Sequence, residues 1–319
     1  MNDALLVVIL ASAVTYGTPL LFASLGELLA ERSGVLNLGV EGMMLCGAVM
    51  GFWSVQTLGN STVLALFLAL LVALVAGAVI ATVHAFLVVT LRANQIVSGL
   101  ALTIFGGAAG LSSYLGNDLE LANEPPRFTF ESLDLLGLGD VPVLGPILFD
   151  QSFLVYLSWA ATILVGVYLC RTRPGLELRS VGESPAAADA MGISVARVRY
   201  VHTIAGGAFA GIAGACFSLS VTPQWVDGLT AGAGWIAIAL VIFAFWRPIL
   251  CLVGAYFFGA FSALPSNLQA RGVTIAPQLF QALPYVMTVL VLVLVSTAGA
   301  RRRLGAPAAL GTPYVREER

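Results

Sequence analysis

The stretch GMMLCGAVMGFWSVQTLGNSTVLALFLALLVALVAGAVIATVHAFLVVTL, residues Gly42–Leu91, contains no Asp, Glu, Lys or Arg. A bilayer core about 30 Å thick is crossed by roughly 20 apolar residues of helix, so this stretch is long enough to cross twice. Its middle holds the polar, turn-prone string Gln56–Thr62, which predicts a short loop between two helices. Because backbone groups in lipid must pair within a helix or a closed barrel, the stretch indicates a helical membrane protein.

The rest of the chain repeats this pattern. The other charge-free stretches long enough to cross are Ala4–Gly26, Ala93–Asn117, Gln151–Cys170, Tyr200–Val226, Gly228–Trp246, Pro248–Ala270 and Gly272–Ala300. Hydrophobic residues make up 59% of the chain and charged residues only 10%, whereas a soluble domain carries about 25% charged residues. The prediction is an all-α, polytopic integral membrane protein that forms one transmembrane domain over residues 1–319.

The predicted number of transmembrane helices is about nine, with eight to ten as the range. The predicted spans are 5–25, 36–55, 63–90, 96–116, 152–170, 198–220, 231–246, 248–266 and 282–299.

Orientation follows from the arginines, which gather on the cytoplasmic side of membrane proteins. Five arginines lie within loop 171–199 and five more within tail 300–319, so both segments are predicted to be cytoplasmic. Loop 117–150 carries seven acidic residues against Arg127 alone and is predicted to be external. The N-terminus is therefore expected outside and the C-terminus inside.

The residue counts also restrict the chemistry. All 15 basic residues are arginine, so the chain lacks the lysine that a P-loop requires, and any ATP must bind another subunit. The four cysteines have no C-x-x-C spacing, which implies neither a metal site nor a disulfide framework. His84 and His202 have no acidic or cysteine partner at metal-ligand spacing and are expected to form hydrogen bonds inside the protein. No catalytic residue is predicted.

A short helix is predicted within loop 171–199. Ser184 is a good N-cap, Pro185 suits the first helical position, Ala186–Met191 favours helix, and Gly192 is placed to end it. From the pattern alone, this helix either connects two spans and does nothing more, or contacts a partner.

Resemblance to a known family favours a partner. The strings that carry it are GESPAAADAMGISVARVR (Gly182–Arg199), GELLAERSGVLNLGVEGMMLCGA (Gly26–Ala48), AGAGWIAIAL (Ala231–Leu240) and the tail PAALGTPYVREER (Pro307–Arg319). They resemble the ABC-importer permeases of the branched-chain amino acid and ribose type, in the subgroup that imports nucleosides or simple sugars. The fold implied is that of a type II importer permease. One departure is Phe245–Pro248, where the family more often has a glycine before the aromatic residue and an Asn-Pro-like turn after it.

The resemblance implies a role and a set of partners. The segment Ser184, Pro185, Ala186, Ala187, Ala188, Asp189, Met191 and Gly192 would be the coupling helix, which docks into the ATP-binding subunit; Asp189 is expected to meet a cationic partner there. The other implied partners are a second homologous permease or another copy of this chain, an extracytoplasmic substrate-binding protein and membrane lipid, with no nucleic acid. No cofactor is expected on this chain, because ATP and Mg would bind the partner. The implied location is the bacterial cytoplasmic (inner) membrane.

The candidate residues of the translocation pathway are Asn37, Glu41 and Trp235. A charge at membrane depth is costly and usually faces a protein interior or a water-filled cavity. Glu41 therefore either lines the pathway or hydrogen-bonds backbone where Gly39 and Gly42 loosen the helix. An ion-driven secondary transporter is the alternative function, but it would be expected to carry more intramembrane acids or histidines than Glu41 alone.

Glycines are spaced for close helix packing in two spans. Gly206, Gly207, Gly211 and Gly214 recur in the sixth span, and Gly106, Gly107 and Gly110 in the fourth. Small residues let helix backbones approach closely in membranes, so packing is the role predicted for both groups.

Overall fold

The computed structural model describes residues 3–58, 63–107, 109–121, 128–269, 282, 285–290, 293 and 305–316. The α-helices are, in chain order, α1 (Asp3–Arg32), α2 (Val40–Leu58), α3 (Val63–Ala85), α4 (Gln95–Gly106), α5 (Leu111–Asp118), α6 (Phe153–Arg171), α7 (Arg173–Glu183), α8 (Pro185–Ala190), α9 (Val195–Cys216), α10 (Ala233–Phe243) and α11 (Pro248–Gln269). Helices α3 and α9 continue into π-helical turns, Phe86–Thr90 and Phe217–Val221. The part of the chain that is described is mostly helical, as predicted.

Six helical stretches of the described residues are long and apolar enough to cross a bilayer: Leu6–Arg32, Val63–Thr90, Gln95–Asp118, Phe153–Arg171, Val195–Val221 and Pro248–Gln269. Each overlaps a predicted span. Helices α2 and α10 lie at two further predicted spans, 36–55 and 231–246. The last predicted span, 282–299, lies mostly outside the described residues, so the total of nine stays a prediction.

Helix α2 lies at the centre of the bundle. It packs against α3, α9, α4 and α10, and most of its side chains are buried, including Glu41 and Gln56. A helix surrounded by protein needs no lipid-facing apolar side, which explains why α2 is less hydrophobic than the six spanning stretches. Helix α3 is different, because one side of it is exposed and almost entirely apolar, with Thr82 bonded to the Ala78 carbonyl. The residues of that side include Val63, Leu64, Phe67, Leu71, Val75, Val79 and Val83, as expected for contact with lipid.

Backbone-to-backbone contact at glycines holds the central helices together. A Cβ added to Gly214 of α9 would fall on the Met44 carbonyl of α2, and one added to Gly211 would fall on the Ala73 carbonyl of α3. A Cβ at Gly106 of α4 would lie 2.7 Å from the Gly42 carbonyl oxygen. The predicted packing role of both glycine groups is therefore confirmed at these positions.

The fourth span is interrupted, unlike the continuous helix predicted over 96–116. Helix α4 ends at Gly106 and α5 begins at Leu111. Between them, Gly110 approaches the Phe105 carbonyl so closely that a Cβ could not fit. Gly107 adopts an extended conformation, with φ −76° and ψ −172°. The glycines that allow close packing here also break the helix.

The segment predicted as the external loop 117–150 contains short ordered elements. Strand β1 (Ser132–Asp134) pairs antiparallel with β2 (Asp150–Ser152), with Leu133 opposite Gln151. A 3₁₀ turn, Leu135–Gly137, and a π-helical turn, Gly145–Phe149, lie between the strands. The hairpin leads directly into α6.

The opposite end of the bundle holds more structure than the sequence predicted. Helix α7 occupies Arg173–Glu183, where a loop was expected. It is followed at once by α8, and α9 starts at Val195. The tail segment Gly305–Arg316 lies against the same end, since the Ala309 amide donates to the Gly182 carbonyl at 2.9 Å. Loop 171–199 and the tail therefore share one face, as the arginine distribution predicted.

Candidate functional site

The carboxylate of Glu41 binds the start of α10. Thr230 Oγ1 and the Gly232 amide donate to Glu41 Oε1 at 2.6 and 2.8 Å, and the Gly234 amide donates to Oε2 at 2.7 Å. The first amides of a helix have no partner within the helix and favour a negative charge. Glu41, which is 7% exposed, thus supplies the N-terminal cap of a helix nearly 200 residues further along the chain.

Glycine is required where the two segments meet. A Cβ at Gly234 would lie 2.6 Å from the Glu41 backbone nitrogen, and Gly232 has φ +82°. Glu41 and these glycines belong to two of the strings that carry the family resemblance, Gly26–Ala48 and Ala231–Leu240. The structure joins these two strings into one site.

This site lies deep in the bundle. Helix α10 has 11 residues and so spans about 16 Å, roughly half of a hydrocarbon core. The chain just beyond its far end contacts the end of α1, because Arg32 Nη2 donates to the Trp246 carbonyl at 3.0 Å. The start of α10, and with it Glu41, therefore lies one length of α10, ~16 Å, from the Trp246 end of this helix. Broken helices whose ends meet near the midplane are typical of transporter binding sites.

A cavity of about 580 Å³ adjoins the segment that Glu41 holds. Its lining combines hydroxyl-bearing and aromatic side chains with aliphatic ones: Tyr16, Leu20, Phe217, Val221, Thr222, Leu229, Thr230, Ala231, Ala233, Ile236, Ser262, Pro265 and Tyr285. Tyr285 Oη donates to the Ala231 carbonyl at 2.5 Å. The cavity has the size and mixed polarity of a small-molecule site.

The other two candidate pathway residues do not line this cavity. Asn37 is 1% exposed; its amide oxygen accepts from Gly39 N at 3.0 Å and its backbone N–H donates to Glu27 Oε1 at 3.1 Å. Trp235 is 37% exposed and lies in the first turn of α10. Glu41 does not line the cavity either, but its carboxylate accepts a hydrogen bond from the lining residue Thr230.

Both histidines form interior hydrogen bonds, as predicted. His84 Nδ1 lies 3.0 Å from Ser98 Oγ, and its Nε2 lies 3.1 Å from the Leu36 carbonyl oxygen. His202 bonds to the Val198 carbonyl and to Tyr168 Oη, each at 2.7 Å. These contacts use both nitrogens of each ring.

Two buried acids were missed by the sequence analysis. Helix α1 extends to Arg32, beyond the predicted end at residue 25, and Glu27 and Glu31 in its last turns are each 1% exposed. Trp246 Nε1 donates to Glu31 Oε2, and Glu27 accepts from Asn37. Glu41 is therefore one of at least three acids buried within the helical bundle. The spacing of four residues between two acids, on a helix continuing the first apolar run, was the available signal.

The segment Phe245–Pro248, where the sequence departs from the family pattern, includes the turn between α10 and α11. Phe245 and Trp246 have φ +50° and +54°, a left-handed conformation that glycine adopts without cost. Trp246 is 4% exposed, and its side chain and carbonyl are both held by the end of α1.

The predicted coupling helix is present as α8, Pro185–Ala190. Ser184 Oγ caps it by accepting from the Ala187 amide at 3.4 Å, and Gly192 ends it with φ +84°. Ala186 and Ala187 are exposed, and Met191 is 82% exposed. Ala188 is buried against the bundle at 3% exposure. The side of α8 that is available to a partner therefore consists of small residues and Met191.

Asp189 was expected to meet a cation on another subunit, but its carboxylate is bound within this chain. Tyr314 Oη donates to Asp189 Oδ2 at 2.9 Å, and Arg316 Nε lies 3.2 Å from the same oxygen. Asp189 is 15% exposed in this arrangement. The sequence could not predict this contact, because its two sides are more than 120 residues apart in the chain.

Three permease proteins of known or provisional name are similar to this chain over at least 90% of its length. TsgC13 of Haloferax volcanii, provisionally named a glucose ABC transporter permease protein, is 40% identical, with 97% of this chain and 98% of that one covered. The guanosine ABC transporter permease protein NupQ of Bacillus subtilis is 34% identical, with 99% and 98% covered. The nucleoside ABC transporter permease protein NupC of Lactococcus lactis is 34% identical, with 90% and 92% covered. No solved structure gives a significant match.

A family described as the permease component of branched-chain amino acid transport systems matches residues 9–292. This match covers the spanning helices, Glu41 with its partners, and α8. The family resemblance read from the sequence is thus confirmed, and the alternative of an ion-driven secondary transporter is not supported. The chain belongs to this family of membrane permeases and is a transport subunit.

Proposed function

We propose that this chain is the permease subunit of an ATP-driven importer of nucleosides or simple sugars. The observation that carries the proposal is α8, a capped helix with an exposed face of small residues, placed between the spanning helices α6 and α9. A short helix of this kind suits docking into a groove on a separate ATP-binding subunit. That subunit would hold ATP and Mg, since this chain has no lysine with which to build a P-loop.

The proposed substrate class rests on the relatives and on the cavity. NupQ and NupC are named for guanosine and nucleosides, and TsgC13 for glucose. The cavity beside α10 offers hydroxyl groups and aromatic rings, which can bond to and stack against sugars and nucleosides. We place the translocation route along this cavity, with Glu41 fixing one wall of it through Thr230.

The transport cycle then needs no covalent chemistry on this chain. An extracytoplasmic binding protein delivers substrate, and the permease, paired with a homologous one, alternates between two conformations. ATP binding and hydrolysis on the partner shift that equilibrium only to the extent that the partner binds one position of α8 better than the other. The exposed surface of α8 therefore determines coupling.

The test uses uptake of labelled guanosine and glucose by cells that express the complete transporter. Ala187→Trp, on the exposed face of α8, should lower uptake about thirtyfold or more, as expected when a contact worth ~2 kcal/mol is lost at the centre of an interface. ATP hydrolysis should continue without transport. The matched control is Ala160→Trp, at an exposed alanine of α6, which should transport normally.

Two outcomes would contradict the proposal. One is normal uptake by the Ala187→Trp variant. The other is uptake by this chain expressed alone and driven by an ion gradient, which would revive the secondary-transporter alternative. Uptake of neither substrate class by the complete transporter would overturn the proposed substrates while leaving the family assignment intact.

The proposed location is the bacterial cytoplasmic membrane, with the N-terminus outside and the C-terminus inside. To test it, the exposed Cys170 is first replaced by serine, and a single cysteine is then introduced at Ser132 or at Met191, both exposed. An impermeant thiol reagent should label Ser132→Cys on intact cells and Met191→Cys only after the cells are opened. The reverse pattern would invert the topology.

A further inference from the structure

The tail Gly305–Arg316 is ordered across the face that carries α8. Backbone hydrogen bonds fix it at two points: the Ala309 amide donates to the Gly182 carbonyl at 2.9 Å, and the Gly311 amide to the Gly34 carbonyl at 3.2 Å. Ala309 is 6% exposed. The tail is thereby tied both to the end of α7 and to the segment that follows α1.

A buried arginine of α9 forms a third attachment. Arg199 is 2% exposed, and its Nη1 donates to the Thr312 carbonyl at 3.0 Å. Burying a charge is costly unless it is paired or hydrogen-bonded, so this bond favours the docked tail. Gly34 leaves room for the arrangement, since a Cβ there would lie 3.0 Å from Arg199 Nη2 and 3.2 Å from the Ala309 carbonyl oxygen.

The fourth attachment is to α8 itself. Asp189 Oδ2 accepts from Tyr314 Oη at 2.9 Å and lies 3.2 Å from Arg316 Nε. Because Arg316 is 75% exposed, solvent screens the ion pair, which alone contributes little. Together with the Tyr314 bond it gives α8 a direct link to the tail. The same tail thus contacts α8, α9, the end of α7 and the segment after α1.

Helix α8 has few other rigid connections. It has six residues, with Ala188 as its buried side chain, and the left-handed Gly192 follows it before α9 begins. Only Ser184 separates α8 from α7, and a turn at residues 191–194 joins α8 to α9. A partner that pulls on α8 would move α1 and α9 more directly if contacts outside these chain connections also joined α8 to them.

We propose that the tail Gly305–Arg316 is a strap that carries the movement of α8 to α1 and α9, with Tyr314 and Arg316 as positioning residues for the coupling helix. This rests on the proposed function, because it takes α8 to be the docking helix of an ATP-binding subunit. It adds a transmission path that runs through the C-terminus rather than through the chain neighbours of α8.

The first test is the double variant Tyr314→Phe/Arg316→Gln in the complete transporter. It removes the contacts of Tyr314 and Arg316 with Asp189 and leaves the bonds of Ala309, Gly311 and Thr312 in place, so the complex should assemble in normal amounts. Uptake per ATP hydrolysed should fall about fivefold or more, the lower end of typical coupling between sites. Arg197→Gln, at an exposed arginine of the same face, is the control and should leave the ratio unchanged.

Exchanging the two charges distinguishes a contact of Asp189 with the tail from a contact of Asp189 with another subunit. Asp189→Arg should lower uptake, and Asp189→Arg/Arg316→Asp should restore much of it, since the pair is rebuilt with reversed charges. If Asp189 instead formed an ion pair with a cation on the ATP-binding subunit, the double variant would transport no better than the single one. That result would overturn the proposed role of the tail.

The strap would also be overturned by an unchanged ratio of uptake to ATP hydrolysis in assembled Tyr314→Phe/Arg316→Gln complexes. That result would leave the permease assignment standing. Failure of the proposed function would show itself earlier, as an absence of ATP-dependent uptake in the unaltered transporter.

Discussion

Gly214→Ala should largely abolish accumulation of the folded permease. The added methyl group would fall on the Met44 carbonyl of α2, and a helix backbone, unlike the end of a flexible side chain, cannot move aside alone. Overpacking typically costs about 1–3 kcal/mol even where side chains can adjust, so we expect a loss at or above that range. The measurements are the yield of monodisperse protein in detergent and its melting temperature.

Two alanine substitutions calibrate this expectation. At Gly51 of α2 the new Cβ would lie 3.1 Å from the Ala215 Cβ, a tight contact but not an overlap with backbone, so Gly51→Ala should cost less than Gly214→Ala. At Gly166 of α6 nothing lies within 4 Å, so Gly166→Ala should be neutral, or slightly stabilising because alanine favours helix. Equal melting temperatures for Gly214→Ala and Gly166→Ala would show that α2 and α9 do not pack as described.

The sequence predicted the spanning helices well because their signal is local. A run without charged residues marks membrane depth wherever it occurs, and α3, α6 and α11 begin within one residue of their predicted starts. The capped helix α8 was also predicted, since Ser184, Pro185 and Gly192 mark its ends directly. The sequence predicts a helix correctly where the residues that define it are neighbours in the chain.

The same local rule produced the errors. Ending the first span at the first charge removed Glu27 and Glu31 from the membrane domain, although tertiary contacts with Asn37 and Trp246 bury both. Helix α7 lies within the predicted loop 171–199, and its Pro174, Gly175 and Gly182 are residue types that also favour turns. Proline is in fact favourable in a first helical turn, and Gly182 is needed where the chain meets the Arg32 carbonyl.

Contacts between distant segments could not be read from the chain at all. Glu41 could be recognised as unusual, but its partners Thr230, Gly232 and Gly234 are identified only by the fold. The same holds for Asp189 and the tail. A carboxylate inside a membrane protein can bind a ligand or cap a helix, and its neighbours in the sequence do not distinguish these roles.

Glu41→Gln should lower the stability of the permease and its transport activity together. The carboxylate accepts three hydrogen bonds, from Thr230 Oγ1, Gly232 N and Gly234 N, in a site nearly closed to water. A glutamine side chain can direct its single oxygen at Thr230 Oγ1 and the Gly232 N–H. Its NH₂ group then faces the Gly234 N–H, so that two donors meet and neither has an acceptor. A buried donor left without an acceptor costs about 1–3 kcal/mol, and loss of the charge further weakens the cap of α10.

The control is Thr230→Val, which keeps the side-chain shape and removes only one of the three donors. Because both backbone amides still bind Glu41, this variant should lose much less stability than Glu41→Gln; its uptake separately reports the hydroxyl group that Thr230 presents to the cavity. Melting temperature and uptake per assembled complex, measured on the same preparations, separate the two roles of Glu41. A fall in uptake at unchanged melting temperature would mean that the carboxylate acts on the passing substrate, because a cap cannot be lost without loosening α10.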